Sequence, residues 1–328
     1  MSSRWAKILA LPVTAVIVCS WLFVFRFQQE QTLLSPGASG VLPQVDTSTL
    51  PAVEIVVASR TFENTSWVNQ YLPDTWTRSI YVSDDPSANL TVPRNKGREA
   101  MIYLTHLIER YDTLAAATVF FHANRFSWHN DDPDYDALPM FANLQLDYIQ
   151  KIGYTSLRCA WAVGCPIQVY PYDQASPVRY GANATDFPPN ATAKSVFKQA
   201  FEELMPGQKV PDAVGAGCCS QFAVSRDRVH KRPKEDYLRW RTWLLETELD
   251  DELSGRVLEY MWHIMFGKPA FHCPKAGECY CKLYGLCGLQ CTKGLCSGRY
   301  AVPPSPLPDG WPLVGFDDEP RTFSGPLL

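Results

Sequence analysis

The chain has 328 residues, a formal net charge of -4 and 46% hydrophobic residues, among them 10 Trp and 11 Cys. No basic block accompanies this mildly acidic balance, so the phosphate-neutralising surface that nucleic-acid binding needs is missing, and nucleic acid is excluded as a partner. The apolar content suffices for a substantial core, and the length fits one large domain with a small addition.

Residues 1–7 read as a cytosolic tail and 8–25 (ILALPVTAVIVCSWLFVF) as a transmembrane signal anchor without charge. Roughly 18 helical residues reach about 27 Å, close to the hydrocarbon thickness of a bilayer. Arg4 and Lys7 precede the segment, and the positive-inside rule then places the bulk of the chain in the lumen as a single-pass type II protein of the Golgi or endoplasmic reticulum. The alternative, a cleaved signal peptide, lacks a small-x-small site after Phe25. Acceptor patterns for N-glycosylation at Asn64, Asn89, Asn183 and Asn190 agree with a lumenal fold. So do the cysteines: with Cys19 in the membrane segment, an even set of ten remains for disulfides, namely Cys159, Cys165, Cys218, Cys219, Cys273, Cys279, Cys281, Cys287, Cys291 and Cys296.

Residues 26–52 are rich in Ser, Pro, Gly, Gln and Thr and read as a stalk. The folded body, 53–267, opens with a buried strand at Val53–Ala58, a helical turn at Trp67–Tyr71 and a strand at Ser79–Val82. Met101, Ile102, Leu104, Leu107 and Ile108 recur at helical spacing within Arg98–Tyr111, and Thr118–His122 returns to strand. This alternation predicts an α/β fold, a mixed sheet flanked by helices, with functional loops after the strand C-termini. Further helices are expected over Leu138–Ile152, Ser195–Leu204, Lys234–Leu249 and Gly255–Phe266, and a glycine-rich segment with a short strand over Ala213–Ser225. Six cysteines between Cys273 and Cys296 make 268–300 a disulfide-rich appendage of open connectivity, with a zinc site including His272 as the alternative. Cys218 and Cys219 are expected to bridge to other cysteines, and 301–328 is a Pro-rich, poorly ordered tail.

Several ordered motifs resemble a known family. Val56-Val57-Ala58-Ser59-Arg60, Val92 to Ala100 with Tyr103-Leu104, Thr118 to His122, Gln221 to Arg226 and Leu258 to Gly267 are similar to domain-of-unknown-function family 3431, common in fungi, over roughly Val53 to Tyr300. The resemblance implies a fold, and its motif order is similar to that of GT-A glycosyltransferases, which implies a sugar nucleotide as donor and a glycan or lipid as acceptor.

A diphosphate leaving group needs positive charge, often with Mn²⁺ or Mg²⁺ held by carboxylates at a strand end, and the acceptor hydroxyl needs a base. Asp84 and Asp85 follow one strand. His122, Arg125, His129 and Asp131 follow another, where Asp131 is the candidate metal ligand and His129 a candidate catalytic group. The Asp-x-Asp patterns of Asp132 to Asp136 lie about ten residues beyond the strand end, where this chain has His122-Ala123-Asn124. Asn95, Arg98 and Glu99 stand at a loop-to-helix junction suited to anionic oxygens, or to capping alone. Gln221, Ser225 and Arg226 can line an acceptor pocket. Glu259 and His263, four apart on one expected helix, can act as a carboxylate–imidazole base. Hydrolase, dehydrogenase, phosphate-loop and zinc-protease motifs are absent. The competing expectations are a non-catalytic lumenal glycan-binding or scaffold protein of the same fold and a secreted cysteine-rich effector.

Overall fold

Val53, Ile55 and Val57 point to one side of the first strand and Glu54 and Val56 to the other, the period of two that a strand needs to bury both faces. The computed structural model describes residues 49–173, 191–300 and 307–323. Its central sheet has five strands in the order β2-β1-β3-β6-β4. These are β1 (Val53–Ser59), β2 (Thr77–Val82), β3 (Ala117–His122), β4 (Tyr154–Ser156) and β6 (Phe222–Ser225). β1 runs parallel to β2 and β3, whereas β6 is antiparallel to both β3 and β4. A short parallel pair, β5 (Gly215–Ala216) with β7 (Phe271–His272), lies apart.

Helices cover both faces. On one side stand α2 (Glu99–Glu109), α5 (Ala193–Leu204), α7 (Lys234–Glu246), α8 (Asp251–Glu259) and α9 (Trp262–Met265), packed with Val56, Phe120, Phe222 and Val224 into one core. On the other, α1 (Ser66–Tyr71), α3 (Ala137–Ala142), α4 (Leu146–Ile152) and α10 (Ala276–Tyr284) pack on Ile55, Val57, Val119, Phe121 and Ala223. The single turn α6 (Arg226–Val229) follows β6 directly, with Ser225 as its cap. Two buried indoles find carbonyl partners, Trp67 at Ala123 (2.7 Å) and Trp240 at Leu204 (2.8 Å), whereas the N–H of buried Trp262 has no hydrogen-bond partner among the described residues.

Two expected helices are broken. Leu138–Ile152 divides into α3 and α4, and Gly255–Phe266 divides at Tyr260–Met261 between α8 and α9. The second break matters, because Glu259 and His263 no longer share a helical face. The cysteine-rich segment is part of the body: Cys279, Tyr280, Leu283 and Tyr284 of α10 lie in the core. Cys159–Cys279 and Cys165–Cys273 bridge 120 and 108 positions, each removing on the order of 4 kcal/mol of unfolded-state freedom in the chain-entropy picture. Cys281–Cys287 and Cys291–Cys296 are local staples, so these cysteines offer no thiolate to zinc. Cys218 and Cys219 pair with each other, not with distant partners. Within the tail, 307–323 is ordered: Trp311 donates to the Asp134 carbonyl (2.9 Å) and Arg321 pairs with the Asp134 carboxylate (2.7 Å).

No helix among the described residues is long and apolar enough to cross a membrane, and the expected anchor at 8–25 lies outside them, as do Asn183 and Asn190. Asn64 and Asn89 are exposed.

Candidate functional site

Parallel pairing brings the C-terminal ends of β1, β2 and β3 to one edge of the sheet, and antiparallel β6 sends its N-terminal end there too. The residues just beyond those ends are Ser59-Arg60, Ser83, His122 and Ser220-Gln221. The start of α2 points to the same place. Before it, Gly97 (φ 68°) and Arg98 (φ 55°) both adopt the left-handed region, uncommon for a residue with a side chain. Gly255 of α8 packs on this turn so closely that a Cβ would lie 2.9 Å from the Gly97 carbonyl oxygen. That contact sets Arg256 and Glu259 beside Arg98 and Glu99.

The result is a cavity of about 450 Å³, lined among others by Arg60, Asn95, Arg98, Glu99 and His122. A wider depression of about 610 Å³ adjoins it, sharing Asn95, Asp251 and Glu252, but it lies away from the strand ends, between Arg94–Lys96 and residues 245–252. The smaller cavity is the candidate site.

Its electrostatics are set by burial. Glu99 is held above the ordinary glutamate range by desolvation, which the Ser220 contact and the Arg98 and Arg256 charges only partly offset. Glu259 is raised likewise, by desolvation and by the Glu99 charge, against Arg256, the Cys219 N–H and Arg98. Glu259 accepts from the Cys219 N–H (2.9 Å) and pairs with Arg256 (3.2 Å). His122 is pushed down to about 3, by burial first and then by His129. His129 falls to about 4 through burial and the charges of Arg158, Arg256 and Arg98. Both imidazoles are therefore neutral at physiological pH. A hydrogen-bond chain links His122 to Asn130 (3.1 Å) and Asn130 to Gln221 (3.1 Å).

Asn95, Arg98, Glu99, His122, His129, Gln221 and Glu259, scattered over the chain, thus gather at one sheet edge. The other expected site residues are spent on structural contacts or lie elsewhere. Arg125 is buried in a two-pronged pair with Asp136 (2.8 and 2.7 Å). Asp131, the expected metal ligand, is buried with both oxygens engaged, accepting from the Cys159 and Ala160 N–H groups and from the Tyr280 hydroxyl (2.8 Å). Asp84 holds Thr61 through its N–H (2.8 Å) and hydroxyl (3.1 Å), bracing the Arg60 loop, and Asp85 closes a turn with Ser87 (2.8 Å). Ser225 and Arg226 lie at the opposite sheet end, since Ser225 pairs with Ala117 at the start of β3. Ser225 caps α6 and Arg226 reaches the Leu114 carbonyl (3.3 Å). His263 is buried behind the sheet, its Nε2 on the Ala270 carbonyl (2.9 Å). Among the described residues no group of three or more His, Cys, Asp and Glu side chains is placed to hold a metal.

Four residues of the edge escaped the sequence reading: Arg60, Asn130, Ser220 and Arg256. Arg256 carried a signal, standing one turn before Glu259 and directly after the glycine that permits close packing.

The family model described as a protein of unknown function (DUF3431) matches residues 55–282. The chain belongs to the DUF3431 family. The matched span contains every residue that lines the cavity, from Ala58 to Glu252, and also Glu259. No curated protein and no solved structure matches the chain.

Proposed function

We propose that this DUF3431 protein is a lumenal glycosyltransferase-like protein of the Golgi or endoplasmic reticulum, anchored as a type II membrane protein, that transfers a sugar from a nucleotide donor to a glycan or lipid acceptor. The observation that carries this is the convergence of Asn95, Arg98, Glu99 and His122 with Arg60 in one cavity of about 450 Å³ beyond the C-terminal ends of parallel strands. Open α/β sheets bind ligands there, and the volume suits a nucleotide-sized molecule. A GT-A-like arrangement is in keeping with the mixed sheet. Exposed Asn64 and Asn89 and the disulfides support the lumenal setting.

In this reading Arg60 and Arg98, with the start of α2, meet the donor's phosphate oxygens, where a guanidinium gives paired hydrogen bonds. Glu259 accepts the proton of the acceptor hydroxyl: burial and the neighbouring Glu99 raise its basicity, while Arg256 fixes its orientation. Neutral His129 accepts a hydrogen bond from a sugar hydroxyl, while His122, bonded to Asn124 and Asn130 through its two ring nitrogens, shapes the cavity wall. No step is assigned to a metal.

The test is a thermal-shift screen of the full-length protein against sugar nucleotides, with and without Mn²⁺, followed by product analysis for any donor that binds. One nucleotide class raising the melting temperature, and doing so less in Arg98→Ala, is the expected result. Binding without turnover assigns the chain to the glycan-binding or scaffold alternative, and no binding by any donor overturns the reading.

A further inference from the structure

The Cys159–Cys279 and Cys165–Cys273 bonds each tie distant parts of the chain, but Cys218–Cys219 joins neighbours. A bond between adjacent residues closes no loop, so it removes almost nothing from the freedom of the unfolded chain. What it constrains is the peptide between its own two cysteines, and that peptide stands at the edge of the cleft.

The backbone there is unusual. Cys219 (φ 87°) and Ser220 (φ 48°) are consecutive residues with side chains in the left-handed region, each costing about 1–3 kcal/mol. Of the non-glycine residues with positive φ among those described, Arg98 lines the cavity and Cys219 and Ser220 lie against Glu259 and Glu99 behind it, whereas Tyr135 and Asp318 are elsewhere. Each residue after Cys218 serves a different member of the site. The Cys219 N–H donates to Glu259 Oε1 (2.9 Å). The Ser220 hydroxyl stands beside the Glu99 carboxyl without reaching hydrogen-bond geometry. Gln221 Nε2 donates to Asn130 Oδ1 (3.1 Å), which also meets His122. Ser220 and Gln221 are only 6% and 2% exposed, yet Ser220 Oγ and Gln221 Oε1 have no hydrogen-bond partner among the described residues. A turn strained at two positions and ending in two unpaired buried polar atoms is held for what it presents, since packing alone selects neither.

We propose that the Cys218–Cys219 disulfide is a positioning element for Glu259: it aims the Cys219 N–H at the Glu259 carboxyl, and its reduction by a thiol withdraws that contact while the body stays folded. In that reduction the S–S bond breaks, two cysteine S–H bonds form, and two reductant thiols supply the electrons and protons and leave joined as their own disulfide. With the bond open, the peptide between the cysteines leaves the left-handed region and the Cys219 N–H withdraws from Glu259. Glu259 is faced by Arg256 from its own helix, by Arg98 and Glu99 from the start of α2, and by Cys219. Glu99 is faced by Arg98, Arg256, Ser220 and Glu259. His129 completes the set opposite Arg98, Arg256 and Arg158. Only the Cys219 contact among these depends on the disulfide.

The inference needs no substrate, so it stands or falls apart from the donor-binding reading. Its test is a carboxyl ¹³C titration of the glutamates in the full-length protein, read together with the melting temperature. In the oxidised protein the Cys219 N–H favours the ionised Glu259 carboxyl. In the Cys218→Ser, Cys219→Ser double variant the Glu259 midpoint moves to higher pH and the melting temperature is nearly unchanged. Wild-type protein treated with dithiothreitol until alkylation marks Cys218 and Cys219, with the bridges to α10 intact, gives the same shift and decides the matter if the variant does not fold. A Glu259 midpoint that does not move when the bond is opened overturns the proposal. So does a fall in melting temperature as large as that from Cys159→Ser, Cys279→Ser, which makes the bond a structural staple.

Discussion

Two polar clusters lie within a few residues of the β3 end, and they are opposites. Around Arg125, Asp131 and Asp136 every charge is spent: Arg125 grips Asp136 with two hydrogen bonds and Asp131 accepts from two backbone N–H groups and a tyrosine. Across the cleft, Glu99 and Glu259 share two arginines, Ser220 and Gln221 keep unpaired atoms, and His122 and His129 are held neutral by burial. A buried polar group that is fully paired builds the fold, whereas one left short is available to a ligand. In sequence the two clusters look alike, because residue type does not reveal what a side chain has already bonded.

The strongest way to break this contrast is to unpair the structural cluster. Arg125→Ala strands the buried Asp136 carboxylate and is expected to cost about 3–5 kcal/mol in chemical unfolding. Equal stability of this variant and wild type would mean the pair is dispensable. In the cleft the signs reverse. Because burial holds both carboxyls above their ordinary value, charging them opposes folding at neutral pH, and Glu259→Gln is expected to keep or slightly raise stability. The same substitution is expected to lower transfer by roughly 10²–10⁴-fold. A variant that loses stability instead belongs with Arg125.

Acid sharpens the comparison further. His263 sits at about 4 in the folded protein against 6.5 unfolded, through burial first, with the Ala270 hydrogen bond opposing and the His272 charge adding to it. The unfolded state therefore binds the extra proton between those values, and this group's contribution is complete above pH 6.5 and is lost as pH falls toward 4. His263→Gln, which can still donate to Ala270, is expected to flatten the fall in unfolding free energy by up to about 1.4 kcal/mol per pH unit. An unchanged slope in urea titrations across that range would assign the acid sensitivity elsewhere. The smallest effect is expected at the surface: Asn64→Gln and Asn89→Gln each remove one glycosidase-sensitive step in gel mobility while stability stays within about 0.5 kcal/mol. Absence of any such step in wild type would argue against the lumenal setting.

Much of the scaffold was legible along the chain. The apolar runs of Val53–Ala58 and Thr118–His122 and the helical spacing of Met101 to Ile108 carry β1, β3 and α2, because burial on one face imposes a period that neighbouring residues record. The even set of ten cysteines beyond residue 25 announced the disulfides that the fold forms. What remained hidden depends on meetings across the chain. Nothing local says that α8 ends at Glu259 and turns His263 away, or that Ser225 at the end of β6 and Gln221 just before its start fall at opposite ends of the sheet. The pairing of Cys218 with Cys219 was equally undetermined, since thiols choose partners by distance in space. The sequence alone determined the strands β1, β2 and β3, the helix α2 and which residue types stand beyond the strand ends. Only the tertiary structure decided which of those residues face one another in the cleft and which are already paired, because desolvation and hydrogen bonding are properties of the packed environment and not of the residue.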